Sequence, residues 1–146
     1  MNYPTINHHG AINGVTGSCH ELQIDAGHSV LIDCGLFQGA ETSGKGSNFD
    51  QLAIEFPIQH IKALLVTHCH IDHVGRIPYL MAAGFEGPIY CSEPTAKLLP
   101  LVLEDAVKIS FTKNKQLIKQ GNNPKNGKAA NQTSNDSLFK EMLNLI

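Results

Sequence analysis

Three histidines and an aspartate lie within six residues near the middle of the chain, in the pattern H-x-H-x-D-H. They are His68, His70, Asp72 and His73. Imidazole nitrogens and carboxylate oxygens are common protein ligands of borderline cations such as Zn²⁺. The chain has eight histidines in 146 residues, and at this frequency chance gives the pattern in on the order of one sequence in a thousand. The stretch therefore predicts a metal site.

The spacing of these residues predicts two pairs of ligands, one pair for each of two metal ions. In an extended segment residues i and i+2 point to the same side, so His68 and His70 can meet one ion while Cys69 points into packing. Asp72 and His73 follow where the chain turns towards a helix, and they can reach a second ion. Such ligands suit Zn²⁺ best, with Mn²⁺ or Fe²⁺ as alternatives, and a metal pair makes hydroxide available at neutral pH. A histidine-rich turn without metal is the other interpretation.

The elements that must position this stretch are an early hairpin and an apolar strand. Residues 18–24 and 29–33, on either side of a turn with Gly27, predict the hairpin. The apolar run 61–67 predicts a strand covered on both faces, and it stops at His68. Residues 36–48 are rich in glycine and polar residues and predict a surface loop.

The residues after the histidines predict an α/β crossover. A short helix is expected from Ile77 to just before Gly84, and the next strand over residues 87–91. Strand, helix and strand in this order give two parallel strands. A longer helix capped by Ser92 follows, with Pro100 expected to bend it. Its predicted buried stripe is Leu98, Leu99, Val102, Ala106 and Ile109.

The composition fits one folded domain. The chain is 42% hydrophobic and 16% charged, which supplies a core and excludes disorder for most of the chain. It contains no run of 18 apolar residues, and its start lacks the features of a signal peptide, so we expect a cytoplasmic protein without a membrane partner. The four cysteines form no C-x-x-C pair, which predicts reduced, mostly buried thiols.

The end of the chain differs in charge from the rest. Residues 1–112 contain five basic and eleven acidic residues, a net charge of −6, whereas residues 113–146 contain six basic and two acidic residues, a net charge of +4. Residues 119–137 predict a flexible polar linker, and residues 138–146 a short amphipathic helix. We interpret the basic charge as mainly solvated, with nucleic-acid contact as the alternative.

Four further segments accompany the metal pattern. They are GVTGSCHEL (14–22), LIDCGLFQG (31–39), HIDHVGRIPYL (70–80) and GPIYCSEPTAKLLPLVLED (87–105). With the metal pattern they resemble the metallo-β-lactamase superfamily and, within it, the β-CASP RNA-processing nucleases. The resemblance extends over residues 10 to about 118.

The resemblance implies an α/β fold of the αββα sandwich type. Residues 1–118 would form its N-terminal half, a mixed sheet with flanking helices. The implied site holds two Zn²⁺ ions on the four residues of the metal pattern. By position, Asp33 matches the acidic residue that orients the metal loop, so Asp72 and Asp33 are the predicted catalytic residues. The alternative for Asp33 is a turn-forming aspartate before Cys34 and Gly35.

The implied function is hydrolysis of RNA phosphodiester bonds by metal-activated hydroxide, with RNA as the partner of the complete protein. The alternatives are a small-molecule ester or thioester hydrolase of the superfamily, and a non-catalytic fragment or interaction module. The family pattern needs further ligands downstream, but no histidine follows His73. We therefore expect the chain to be an incomplete N-terminal part, inactive alone, whose uncovered half-sandwich self-associates or pairs with another surface.

The remaining histidines give weaker predictions. His20 alternates with Leu22 and either reaches the cleft or has a structural role. His8 and His9 lie near the metal loop or are simply exposed. His28 and His60 are expected to be solvated.

Overall fold

A computed structural model of the chain describes residues 2–38 and 52–119, with side chains up to residue 108. Residues 120–137 of the predicted linker, the predicted C-terminal helix and residues 39–48 of the predicted loop lie outside these residues, whereas Lys119 is the last residue of a helix. The elements are β1 (Thr5–His8), β2 (His20–Gln23), β3 (Ser29–Ile32), β4 (Ile61–Leu65), α1 (Ile71–Val74), α2 (Ile77–Ala82), β5 (Ile89–Tyr90) and α3 (Glu93–Lys119).

The described strands form one five-stranded mixed sheet in the order β1-β2-β3-β4-β5. The first three strands are antiparallel neighbours, and β3, β4 and β5 are parallel. The predicted hairpin, crossover and α/β class are confirmed. Strand β1 was not predicted, because its four residues contain only one large apolar side chain, Ile6, and it is recognised only through its pairing with β2.

Helices cover one face of the sheet. A row of side chains in register across four strands is buried on this face: Glu21, Leu31, Leu64 and Ile89. Apolar residues of all three helices join them in one core, and the segment 52–60 packs at its side. Within the described residues, no helix is long and apolar enough to cross a membrane.

The opposite face of the sheet is open in the described part of the chain. The next row in register contains Leu65, 41% exposed, and Tyr90, 57% exposed. The prediction that the 61–67 strand is covered on both faces is therefore wrong. The strand has one buried face and one open face, and both carry apolar side chains. An apolar run therefore does not distinguish such a strand from one that is covered on both faces.

The helices largely follow their sequence signals. Pro78 lies in the first turn of α2, and Gly84, just beyond its end, has a φ of 101°. Among the described side chains of α3 the buried apolar residues are Leu99 and Leu103, spaced by one turn, whereas Leu98 is 50% exposed. The predicted inclusion of Leu98 in the buried stripe is wrong, since it lies about 100° around the helix from Leu99. All four cysteines are free thiols, two buried and two half-buried.

Candidate metal centre

The site forms where two parallel strands end at the same edge of the sheet. Asp33 directly follows β3, and its N–H donates to the carbonyl of Leu65 at the end of β4 (2.9 Å). Thr67 and His68 come two and three residues after β4. Because parallel strands share their carboxyl edge, residues 34 positions apart in sequence become neighbours.

The four residues of the metal pattern lie together. His68 Nε2 is 3.1 Å from His70 Nδ1, so the two rings are on the same side of the segment, as the spacing predicts. The ring centroids of His68 and His73 are 4.0 Å apart. His73 Nε2 is 3.6 Å from the nearer carboxylate oxygen of Asp72.

These side chains form two pairs of candidate metal ligands, His68 with His70 and Asp72 with His73. Among the described residues, no group of three or more His, Cys, Asp or Glu side chains is arranged to hold a metal ion. Each pair offers two ligands, and a catalytic zinc normally has three from the protein. The donor chemistry fits divalent metal ions, but the number of ligands is that of a partial site.

A buried carboxylate lies beneath the histidines. Asp33 is 2% exposed. One carboxylate oxygen accepts from the Thr67 N–H (2.9 Å), and the Thr67 hydroxyl donates to the same carboxylate at 3.0 Å. The other oxygen accepts from Ser18 Oγ (3.1 Å) and from His73 Nδ1 (2.8 Å).

These hydrogen bonds set the tautomers of two histidines. An ionised carboxylate only accepts, so His73 carries its proton on Nδ1 and turns the lone pair of Nε2 outwards. The Thr67 hydroxyl gives its hydrogen to Asp33 and therefore accepts from His68 Nδ1, at 3.0 Å. The Nε2 lone pair of His68 then faces His70. One carboxylate thus leaves the Nε2 lone pairs of both histidines free, that of His68 beside His70 and that of His73 beside Asp72.

The backbone of the metal loop is fastened to the ends of β2 and β3. The carbonyls of residues 71, 72 and 73 accept N–H groups from Leu36 (3.0 Å), Ser18 (2.9 Å) and Cys34 (2.8 Å). Gly35 lies so close that a Cβ at this position would overlap the backbone of Asp72. A glycine is therefore needed for the loop to reach its place.

Asp33 and Arg76 adopt conformations that serve this packing. Asp33 has a φ of 60°, a left-handed conformation that is uncommon outside glycine and found at functional sites. Arg76, 4% exposed, donates from Nε to the carbonyl of Gly35 (2.7 Å). Its guanidinium lies 5.1 Å from the ring centre of Phe37. Arg76 thus joins the loop after β3 to the first turn of α2.

Three residues of the site were not predicted from the sequence: Ser18, Thr67 and Arg76. All three lie inside or directly beside the quoted motifs, but only Thr67 is next to a predicted ligand, His68. For Thr67 this position is the available signal, and for Ser18 and Arg76 the sequence offers none. Their hydrogen bonds depend on the fold and cannot be derived from spacing.

A second buried carboxylate, Glu21, is held by two other histidines. His60 Nε2 is 2.6 Å from one oxygen and His9 Nε2 is 2.9 Å from the other. His9 also stacks on Phe56, with 3.8 Å between ring centres. The prediction that His60 is solvated is wrong, because its ring is hydrogen-bonded to the buried Glu21 carboxylate and is only partly exposed.

Burial and hydrogen bonding act in opposite directions on Glu21. Burial alone would raise the pKa of its carboxyl, but the polar groups around it, His9 first and then Ser29 and His60, together outweigh this effect and the pKa is lowered. The carboxylate is therefore the form that the fold stabilises.

The other early histidines lie at the two ends of the hairpin. His28 is exposed in the turn, as predicted, and pairs with Asp25 at 2.8 Å. His8 and His20 face each other across β1 and β2, with their Nδ1 atoms 2.9 Å apart. The pKa of His20 is lowered, first by burial and then by the charge of His8.

The sequence of the chain is similar to those of known proteins. The sequence profile of the metallo-β-lactamase superfamily matches residues 12–134. The chain is 44% identical over 100 residues to Ribonuclease TTHA0252 of Thermus thermophilus, a match that includes 68% of this chain and 22% of the ribonuclease. It is 41% identical over 88 residues to Transcription termination factor FttA of Methanococcus maripaludis, which includes 60% of this chain and 14% of that factor.

A plant relative is similar to the same region. The chain is 37% identical over 98 residues to Cleavage and polyadenylation specificity factor subunit 3-II of Arabidopsis thaliana, a match that includes 66% of this chain and 16% of the subunit. The chain thus spans about a fifth or less of these relatives. They confirm the resemblance to β-CASP RNA nucleases that the motifs predicted.

Proposed function

The chain belongs to the metallo-β-lactamase superfamily, and from this we propose that it provides a metal-binding half-site for hydrolysis of RNA phosphodiester bonds. The observation that carries the proposal is the Asp33 carboxylate, which holds His73 directly and His68 through Thr67, each by its Nδ1 atom, so that the Nε2 lone pairs stay available to a ligand. The RNA substrate is suggested by relatives named as a ribonuclease and a cleavage factor.

The donor pairs indicate where metal would be held. His68 and His70 would bind one divalent ion, and Asp72 and His73 a second. We propose Zn²⁺, with Mn²⁺ or Fe²⁺ as alternatives, because imidazole and carboxylate ligands suit these ions. When bound, the ions supply water of lowered pKa and positive charge opposite the phosphate oxygens.

The two aspartates have different roles in this proposal. Asp72 lies at the surface of the site, within 3.6 Å of His73 Nε2, where it would be both a ligand and a neighbour of the reacting groups. Asp33 is buried and acts through Thr67 and His73. We therefore assign Asp33 a positioning role and keep Asp72 as the residue closest to the chemistry.

The open sheet face bears on partners. Its exposed apolar side chains, among them Leu65 and Tyr90, would favour self-association or pairing with another surface. The cytoplasmic location expected from the sequence also stays a prediction.

A chimera tests the proposal directly. The stretch of the Thermus thermophilus ribonuclease that matches this chain would be replaced by the corresponding 100 residues of this chain. We expect the chimera to cleave labelled single-stranded RNA, and His68→Ala with His70→Ala to abolish cleavage and zinc content together. A folded chimera that retains zinc but does not cleave RNA would contradict the proposal.

The same chimera separates the alternative functions. An aryl ester and a thioester would be assayed beside the RNA. Hydrolysis of these substrates without RNA cleavage would favour the small-molecule hydrolase, whereas a folded chimera without zinc would favour an interaction module.

A further inference from the structure

The His8–His20 pair lies at the same sheet edge as the candidate metal centre. His8 ends β1 and His20 begins β2, directly opposite each other in register. His20 is in turn opposite Ile32, the residue before Asp33. Since neighbouring strands are about 4.8 Å apart, the pair lies roughly one to two strand spacings from Asp33. It therefore borders the groups proposed to bind metal.

Histidines are the only basic side chains on the first three strands and their connections. No lysine or arginine occurs in the first 44 residues. Two of the four histidines there are matched by carboxylates, in the pairs His9–Glu21 and His28–Asp25. Within the described residues, His8 and His20 contact each other and no carboxylate. Two adjacent bases without a contacting acid, beside a proposed phosphodiester site, indicate a place for an external anion.

The hydrogen bond between the Nδ1 atoms determines what the pair offers outwards. One Nδ1 carries a proton and the other accepts it, at 2.9 Å. With both rings neutral, the pair presents one Nε2–H donor and one bare Nε2. One further proton makes both Nε2 atoms donors and gives the pair a single positive charge. Two N–H donors with a shared positive charge suit a phosphate group.

The surroundings of His20 disfavour its protonated form. The pKa of His20 is lowered, first by burial and then by His8, with smaller lowering effects from His73 and His9. Asp33 acts in the opposite direction. A bound anion would favour the protonated pair, so the pair gains its charge when the ligand arrives.

We propose that His8 and His20 form a phosphate-binding subsite for the substrate strand, next to the metal ligands. The phosphate of a nucleotide adjoining the cleaved bond would accept hydrogen bonds from the two Nε2–H groups. The inference rests on the proposed function for its RNA strand. Its test therefore measures binding without cleavage, so that the two proposals can fail separately.

The first experiment measures the affinity of the chain for a fluorescein-labelled single-stranded oligoribonucleotide by anisotropy, with EDTA present to prevent metal-dependent cleavage. We expect His8→Asn with His20→Asn to weaken binding about tenfold, the loss of a hydrogen bond to a charged group. The matched control is His28→Asn, at the other end of the same hairpin, which should bind as the unmodified chain does. Equal affinity of the double variant and the unmodified chain, or an equal loss in the control, would overturn the inference.

The second experiment needs no substitution and so does not depend on the folding of a variant. Ring ¹⁵N NMR of the unmodified chain would be recorded during titration with inorganic phosphate. We expect saturable shifts of the Nε2 resonances of His8 and His20, and none for His28. Absence of these shifts would overturn phosphate recognition even if the oligoribonucleotide binds. Shifts in a chain whose chimera never cleaves RNA would support the subsite and contradict the proposed function.

Discussion

Asp33 is the residue on which the geometry of the metal loop most depends. Its two oxygens accept hydrogen bonds from Ser18, Thr67 and His73, and its backbone adopts a left-handed conformation to place them. The sequence showed only that an acidic residue ends an apolar strand, with a turn-forming role as the alternative. The hydrogen bonds favour the orienting role.

Asp33→Asn should weaken zinc binding by about 10- to 100-fold, the usual effect of losing a carboxylate that orients a histidine ligand. The amide keeps one acceptor oxygen but replaces the other with an N–H donor, so either Thr67 or His73 loses its partner. Competition with a chromogenic chelator measures the affinity. Asp25→Asn is the control, since it changes an exposed aspartate that also pairs with a histidine. Equal zinc affinity in both variants would contradict the assigned role.

At the scale of elements, the junction between the end of β3 and the metal loop depends on close backbone packing. Gly35→Ala should lower the free energy of unfolding by about 1–3 kcal/mol, because the added methyl overlaps the backbone of Asp72. Gly27→Ala is the control, since its Cβ would meet nothing nearer than an Asp25 oxygen at 3.8 Å. Urea unfolding of both variants makes the comparison, and equal midpoints would show that the loop can move away.

Glu21 joins β2 to the segments that follow β1 and precede β4, through His9 and His60. Its pKa is lowered in the folded state, so its contribution to stability is present above the unfolded value of about 4.5 and is lost as the pH falls below that value. We therefore expect the free energy of unfolding to decrease as the pH is lowered from about 5.

The matched variants isolate this contribution. The free energy of unfolding of Glu21→Gln should decrease less steeply with falling pH than that of the unmodified chain, because the amide does not titrate. Glu55→Gln, a change at an exposed position, should follow the unmodified chain. Chemical unfolding at several pH values between about 3 and 6 gives the slopes. Parallel curves for all three proteins would contradict the role of Glu21.

At the scale of the whole molecule, local sequence patterns predict most helices and strands, but they do not predict contacts between residues far apart in sequence. The hairpin and the crossover follow from turn residues and apolar periodicity, which are local signals. Strand β1 depends on pairing with residues 12 to 18 positions away. The exposure of one sheet face depends on which elements pack against the sheet. The hydrogen bond of His60 depends on the folded position of Glu21, 39 residues away in sequence. The candidate metal ligands are recognisable in the sequence because His68, His70, Asp72 and His73 lie within six residues and are themselves a local pattern.

The ligand count of the described residues leads to a prediction about the chain by itself. His68 with His70 and Asp72 with His73 give two ligands each, and no histidine occurs after His73. Catalytic zinc normally has three protein ligands, which fix its geometry as well as its affinity. Solvent can complete a coordination shell, but it does not hold two ions at the fixed separation that a paired site uses.

We therefore expect the isolated 146-residue chain to bind zinc weakly and to leave RNA uncleaved. In-line displacement at phosphorus needs the attacking and departing oxygens held in one geometry, and a site with two ligands per ion cannot impose it. The measurement is a cleavage assay on labelled single-stranded RNA with added Zn²⁺ or Mn²⁺, with the double variant His68→Ala and His70→Ala as control. Turnover by the unmodified chain alone would contradict the prediction. If turnover then rose with the square of protein concentration, the missing ligands would have to come from a second copy across the open sheet face.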